Sequence, residues 1–600
     1  MRSATFHPIS YATYDVDRIA SYIYKQFTEI FYGMPQNGKF LGSEERTKEI
    51  AARTNLEVGH AGCAGLVRTY IAVCDWMVSV PNDALIWDLD SYFYPNNLKT
   101  FNVYDIIHKD KYTPEDFKAI MYAMKHNTWF NIIDTKGCQM GNDGLALIAD
   151  VMKTNVTITT LDLKDTGGST KAIQCLCEAV KENSGHNLKV LNLSGNSFGG
   201  ESKLITLFSN TLADSLGKLT KLDISNAKIT KPGPILEAIG RTPALVTNLE
   251  ELNISQNSFR VECSRLLGTF LTLTMALKTL KASGTSISWQ SVIEGMKASN
   301  CTVISLDISN NVTKTKAQPE IISFLELLPK VENLNLANTQ VSETTVVAIL
   351  KRKNGQSFTE IDLSENDFSD DAVILIMKAI EELKLKKLVF NKSFSRRGKT
   401  RAQAMQSIAQ AIKIGGITNF SINNSKLKTD IFEIIFSLLS NTSLQVLDIS
   451  GNQGGDQLAS DIAKVLQHNK SLHTIFWDGN DITLYGLKTI LLGLERNHTV
   501  KYMPLPMSDI GTILKTKPDE SEAVFEVTRE IQRRIYESSF NPSSALPSKS
   551  VENVARHASQ VELDIQRAAA LFHTISSTIT QHDLERISVD EIEEKAVHPP

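Results

Sequence analysis

An α/β solenoid is what this sequence predicts, and three observations carry the prediction. The pattern Leu188-x-x-Leu191-x-Leu193-x-x-Asn196 recurs, with apolar substitutions, about every 28 residues. Its first apolar position falls in register at Leu98, Phe130, Ile158, Leu188, Leu219, Leu249, Leu277, Val303, Val331, Phe358, Leu385, Ile417, Leu444, Leu472 and Val500. Within one unit the period changes: Leu444, Leu447 and Ile449 form a strand face, and Leu458, Ile462 and Leu466 then come at helical spacing.

A single strand and helix cannot bury their own apolar face, whereas stacked neighbours share one continuous core. The prediction is therefore a leucine-rich-repeat solenoid, a horseshoe of about 15–16 strand–helix repeats of ribonuclease-inhibitor-like type, with a C-terminal helical region. A repeat of this length has room for a true helix and implies a strongly curved ribbon. The ninth position carries Asn196, Asn257, Asn311, Asn366, Asn452 and Asn480, with Cys138, Thr166, Thr285 and Thr339 elsewhere. A small hydrogen-bonding side chain there satisfies backbone groups where the chain turns off the strand, so these residues read as structural.

Composition narrows the function classes. Sixty-three basic and 67 acidic residues give a net charge of -4, with no global drive toward nucleic acid or membrane surfaces. Seven cysteines without regular spacing argue against a disulfide framework, and Cys175 and Cys177, one residue apart, do not make a zinc pair. There is no apolar signal region and no run approaching a membrane span, so the expected location is cytoplasmic. The triplets Asn192-Leu-Ser and Asn253-Ile-Ser fall inside expected strands and read as by-products of the repeat.

No catalytic constellation, cofactor-binding motif or metal-ligand spacing emerges. Gly398-Lys399-Thr400 approaches a phosphate loop, but Ser393 stands where that pattern needs its first glycine. The same stretch reads as an insertion, because the step from Leu385 to Ile417 is 32 residues. It carries Lys392, Arg396, Arg397, Lys399 and Arg401, either a basic loop that meets an acidic or phosphorylated partner or a merely solvated one. On the inner strand face the side chains after the second apolar residue include Asp162, Asp223, Asp307, Asp362 and Asp448, with Asn192, Asn253 and Asn335 between them and Lys281 interrupting. That polar, mildly acidic row is either an interaction surface or simply hydrated.

The ends are helical by pattern. Asp519 to about Tyr536 has acidic residues early and Arg529, Arg533 and Arg534 late, matching the helix dipole, and reads as a cap on the stack. Asn541 to Ser548 has linker composition. Beyond it Val551, Val554, Ala558, Val561, Ile565, Ala568, Phe572, Ile575 and Ile579 alternate steps of 3 and 4, a heptad seam. That seam packs back on the solenoid, self-associates into a homodimer, or captures a partner's helix. Ile19, Ile23, Phe27 and Ile30 give an amphipathic helix over Asp15 to Tyr32, without the basic face of membrane-surface helices. Ala72 to Trp76 and Ile86 to Asp90 place large aromatics ahead of the first unit, as an N-terminal cap.

Tyr70-Ile-Ala-Val-Cys-Asp-Trp76, Trp87-Asp-Leu-Asp90, Ser425-Lys-Leu-Lys-Thr429, Ser443 to Asn452, Phe476 to Thr483 and, above all, Tyr502-Met-Pro-Leu-Pro-Met-Ser-Asp509 resemble the CARMIL family, linkers of capping protein, the actin-related-protein complex and myosin I. The resemblance covers essentially the whole chain. It implies a lipid-binding pleckstrin-homology domain, linker, repeats, capping helix, helical dimerisation domain and a tail that binds capping protein and recruits myosin I. The Asp15 to Tyr32 helix resembles only the last helix of that first domain, so no lipid headgroup site is expected. No basic, proline-rich capping-protein motif precedes Pro600. The chain is then either a shortened product or incomplete gene model, or a form that scaffolds without uncapping.

The expected organisation is a pleckstrin-homology remnant at 1–33, linker and N-terminal cap at 34–97, and repeats at 98–510. A capping helix at 511–540, a linker at 541–550 and a helical dimerisation segment at 551–600 complete it. The expected function is a non-enzymatic scaffold of the actin cortex, possessing neither catalytic residues nor a cofactor, whose partners are proteins and not nucleic acid. Two rivals stand beside it: a GTPase-activating protein of this repeat class, and an inhibitor or sensor that clamps a protein on its inner face.

Overall fold

The computed structural model describes residues 18–23, 25, 62–104, 113–135, 137–200, 202–297, 301–312, 318–351, 358–394 and 397–539. The chain forms two compact units, Met1–Asn335 and Leu336–Pro600.

In the first unit, nine described strands of three residues each alternate with helices. They are β1 (Thr100–Asn102), β2 (Ile132–Asp134), β3 (Thr160–Asp162), β4 (Val190–Asn192), β5 (Lys221–Asp223), β6 (Glu251–Asn253), β7 (Thr279–Lys281), β8 (Ser305–Asp307) and β9 (Asn333–Asn335). Each pairs in parallel with the next, residue for residue: Leu161 lies beside Leu191, and Leu191 beside Leu222. The middle residue of each strand points inward, and Ile133, Leu161, Leu191, Leu222 and Leu252 are at most 2% exposed. Every crossover carries helix, for example Thr170–Glu182 with Ile173, Leu176, Cys177 and Val180 buried. Burying a leucine or isoleucine side chain contributes roughly 1.5–3 kcal/mol, so each repeat adds several such terms that only its neighbours complete.

Helices of the first unit also meet without spacers. Gly268 in helix Val261–Leu273 lies against the Val292 carbonyl, and Gly295 in helix Trp289–Gly295 lies against the Arg265 carbonyl. A Cβ at either glycine would collide with backbone.

Ahead of β1, helix Gly62–Met77 packs on helix Pro114–Met124. The junction is polar and buried: the Tyr70 hydroxyl donates to Asp116 Oδ1 at 3.0 Å, and Asn82 Nδ2 donates to Asp116 Oδ2 at 3.0 Å. Asp116 also closes a capping box with Thr113, which puts Pro114 at the first helical position, where its missing N–H costs nothing. Phe130 meets Phe93 and Phe101 edge to face, and those two rings stack on each other. The tryptophans that stand out in the sequence are not the seal, since Trp76 and Trp87 are 67% and 63% exposed. Leu66, Tyr70, Leu85, Leu89 and Phe93 fill that role. Of the amphipathic stretch at Asp15 to Tyr32, residues 18–23 and 25 are described, and they are helical.

The second unit repeats the plan through β10 (Glu360–Asp362), β11 (Lys387–Val389), β12 (Asn419–Ser421), β13 (Val446–Asp448) and β14 (Thr474–Phe476). Pairing is again parallel and in register, Leu388 beside Phe420 beside Leu447 beside Ile475. After β14 come helices Leu484–Leu494, Met507–Thr516 and Ser521–Ser539. The last buries Val524, Val527 and Ile531 and lies along Leu484–Leu494. The heptad seam from Val551 to Ile579 lies outside the described residues.

Candidate interaction surface

The ninth-position asparagines form a ladder. Asn257 Nδ2 donates to the carbonyls of Ile224 (2.8 Å) and Ile254 (3.0 Å), and its Oδ1 accepts the Ile229 N–H. Asn452 does the same for Ile422 and Ile449. Each therefore satisfies carbonyls of its own repeat and of the one before, groups that would otherwise be buried unpaired. The residue just before it has a positive φ in every repeat whose turn is described, from Gly137 through Asp165, Gly195, Asn226 and Gln256 to Gly479. Glycine, asparagine and aspartate recur there because they tolerate the left-handed region.

A second ladder, unread in the sequence, ties the helix ends. Asn155 Nδ2 donates to Met124 and Asn127 carbonyls, and Asn183 Nδ2 to those of Met152 and Asn155. Asn469 repeats this with Leu438 and Asn441. The signal was present, since Asn127, Asn155 and Asn183 are spaced by 28, as are Asn441, Asn469 and Asn497.

The strand face is where the acidic row lies, and much of its bonding capacity goes to shape. Asp223 Oδ1 accepts the Ser225 N–H (2.9 Å) and hydroxyl (2.7 Å), while Oδ2 accepts Asn253 Nδ2 (2.8 Å). Asp362 and Asp448 likewise hold the N–H two residues on, at Ser364 and Ser450, and Asp307 holds that of Ser309. Asp162 accepts from Lys164 and from Asn192, and burial, with Asp134 and Asp223 nearby, raises its carboxyl above the usual range. An acid or amide with serine two residues later is thus the turn-closing device of this repeat. Beside the row, Lys221 pairs with Glu251 at 2.7 Å and Lys278 with Glu250 at 3.2 Å.

The basic stretch needs correcting. Arg401 is not a loop residue: it opens helix Arg401–Ile414, is 5% exposed, and its Nε donates to the equally buried Asp370 at 2.6 Å, with Phe394 beneath the guanidinium. Lys392 sits at the left-handed turn position that the repeats share from Gly137 to Gly479 and pairs with Glu365, so it precedes the insertion. Arg397 pairs with Asp430 at 2.7 Å, Lys399 is exposed, and Arg396 lies outside the described residues. The helix-forming stretch from Arg401 hides in the sequence because its charge resembles that of the loop before it.

Burial pushes the Cys177 thiol up to about 11 and raises those of Cys138 and Cys301, keeping them protonated at neutral pH. Among the described residues no group of histidine, cysteine or acidic side chains could hold a metal, and no helix is long and apolar enough to cross a membrane.

Parallel three-residue strands, outer helices and stacked asparagines define a leucine-rich-repeat protein, and residues 187–211 match the general leucine-rich-repeat model. Residues 352–537 match the leucine-rich-repeat domain of the CARMIL family. Protein CARMIL of Dictyostelium discoideum is 29% identical over 539 residues, covering 83% of this chain and 51% of that protein. "Capping protein, Arp2/3 and myosin-I linker protein 3" of Rattus norvegicus is 26% identical over 519 residues, covering 79% of this chain and 37% of that one. The repeat region of this chain is therefore similar to that of CARMIL proteins. "Rho GTPase-activating protein gacW" of Dictyostelium discoideum is also similar, 30% identical over 490 residues, covering 79% of this chain and 43% of that one. The chain spans about half the length of these curated relatives, or less.

Proposed function

We propose that this chain is a non-enzymatic scaffold of actin-filament regulation, acting in the cytoplasm at the cell cortex. The observation that supports it most is the match of residues 352–537 to the CARMIL leucine-rich-repeat domain. That segment includes the unusual end of the array, where Trp477 Nε1 donates to the Pro504 carbonyl at 2.9 Å and Asp509 caps Asn480. The proposed partners are actin capping protein, myosin I and the actin-related-protein complex, held on the strand face of the first unit beside Asp162, Asp223 and Asp307 or on that of the second beside Asp362 and Asp448. Presentation is the mechanism: partners on one particle meet at raised effective concentration. Self-association through Val554, Val561, Ile565, Phe572, Ile575 and Ile579 doubles the number of sites. Attachment at the plasma membrane is peripheral, through those partners.

Immobilised full-length chain is tested for retention of each purified partner at micromolar concentration. Retention of at least one supports the scaffold, and retention of none defeats it. The similarity to a protein named as a Rho GTPase activator supports a second reading. GTP hydrolysis by a Rho-type GTPase accelerated about 10³-fold or more by this chain would favour that reading instead. Sedimentation equilibrium of the full chain against Phe572→Asp tests the dimer: an unchanged mass contradicts it.

A further inference from the structure

Lys392, Arg397, Lys399, Lys426 and Lys428 stand on the two consecutive turns that leave β11 and β12, and all are exposed. The turns are tied to each other. The Lys392 N–H donates to the Ser425 hydroxyl at 3.0 Å, and the Arg397 guanidinium donates across to Asp430 at 2.7 Å. Lys392 is partly neutralised by Glu365 and Arg397 by Asp430, while Lys399, Lys426 and Lys428 have no acidic partner among the described residues. The turn geometry does not call for these lysines. Lys392, Lys426 and Lys428 have φ of 48°, 50° and 53°, the left-handed region that glycine and asparagine occupy at less cost. Asn424 and Gly451 hold the place of Lys392 on the next two turns. A residue kept at a backbone position that disfavours it points to a role outside the turn.

Three features narrow the partner. Phe394, the aromatic of this stretch, is half-buried with its ring against the Arg401 guanidinium and edge to face with Phe390, so it offers no platform for stacking bases. The Gly398 N–H is taken by Asp370, so the backbone does not form a phosphate cradle there. Exposed carboxylates at Glu365, Asp367 and Asp371 flank the lysines. A broad anionic plane such as a membrane would meet those acids too, whereas a narrow chain follows the cations alone. We propose that this edge of the second unit binds an acidic peptide segment of a partner protein, whose carboxylates pair with Lys399, Lys426 and Lys428. The surface is separate from the strand face, and the proposal does not rest on the actin-regulatory reading.

Fluorescence anisotropy of a fluorescein-labelled peptide of about ten glutamates, titrated with the full chain in about 50 mM salt, tests it. Lys399→Ser, Lys426→Asn and Lys428→Asn are made together, and because asparagine tolerates the left-handed backbone the turns keep their shape. Exposed ion pairs are individually weak, so binding comes from their number. The expected result is saturable binding that weakens about tenfold in this triple variant and by a similar factor at about 300 mM salt. A control of equal charge change, Lys171→Gln, Lys181→Gln and Lys203→Gln at exposed positions on helices of the first unit, should leave the affinity within about twofold. An equal loss in both triple variants would overturn the proposal in favour of unspecific charge attraction. Absence of saturable peptide binding would overturn it as well. If vesicles containing phosphatidylserine then bound the unaltered chain but not the turn variant, the edge would belong to a membrane instead.

Discussion

Asp509 does for Asn480 what Asn480 does for Asn452. Asn480 Oδ1 accepts the Asn452 N–H at 3.1 Å, and Asp509 Oδ2 accepts the Asn480 N–H at 3.0 Å while its Oδ1 takes that of Asp481 at 2.9 Å. The carboxylate closes a ladder that has no further asparagine to continue it.

That closure is pH-dependent. Burial, with Asp478 nearby, outweighs the backbone N–H donors of Asn480, Asp481 and Ile482 and pushes the Asp509 carboxyl up from 3.8 to about 6. A raised folded-state value means the proton binds the folded form more tightly. The stabilisation is fully present below the unfolded value near 4 and is lost as pH rises through about 6. Unfolding free energy of the unaltered chain should fall by about 1–3 kcal/mol between those limits relative to Asp509→Asn, measured by urea titration at each pH. Parallel profiles for the two proteins would contradict this.

Within the ladder, Asn452→Ala strands the carbonyl of Ile422, while that of Ile449 keeps its bond from Asn480 Nδ2 at 3.1 Å. The expected loss is roughly 1–3 kcal/mol, the cost of one unsatisfied buried group. Asn452→Asp should do no better, because a carboxylate cannot donate to either. A drop below about 0.5 kcal/mol in chemical denaturation would contradict the structural assignment.

The paired glycines predict a steric effect. Gly268→Ala meets the Val292 carbonyl and Gly295→Ala the Arg265 carbonyl, so each should destabilise the first unit by about 1–3 kcal/mol. Helix propensity alone would have alanine stabilise by about 1 kcal/mol, so the sign of the change in melting temperature decides between them.

Arg401 and Arg397 separate burial from exposure. Arg401→Ala leaves Asp370, itself 3% exposed, with one bond from the Gly398 N–H and no counter-ion, a loss of roughly 3–5 kcal/mol. Arg397→Ala removes a pair whose arginine side chain is 68% exposed, and should cost no more than about 1 kcal/mol. Equal effects in a denaturant titration would contradict the distinction.

Fold class and register are legible in the apolar periodicity, because stacking fixes which residue of each repeat faces the core: Leu161, Leu191 and Leu222 are buried where the pattern puts them. The ninth-position asparagines are readable for the same reason. Less of the surface is readable. Asp223 looks like a ligand-facing acid until its bonds to Ser225 are seen, and Arg401 looks like loop charge until Asp370 is found against it, 31 residues upstream. Asp509 breaks the pattern because it substitutes for an asparagine at a place where the repeat has ended.

The scaffold reading is tested most directly by sedimentation velocity of fluorescently labelled full-length chain titrated with purified actin capping protein, myosin I or the actin-related-protein complex. The account predicts a faster-sedimenting species that saturates with at least one of them at micromolar concentration. A boundary that never moves with any of the three, for a chain that remains folded, would contradict it.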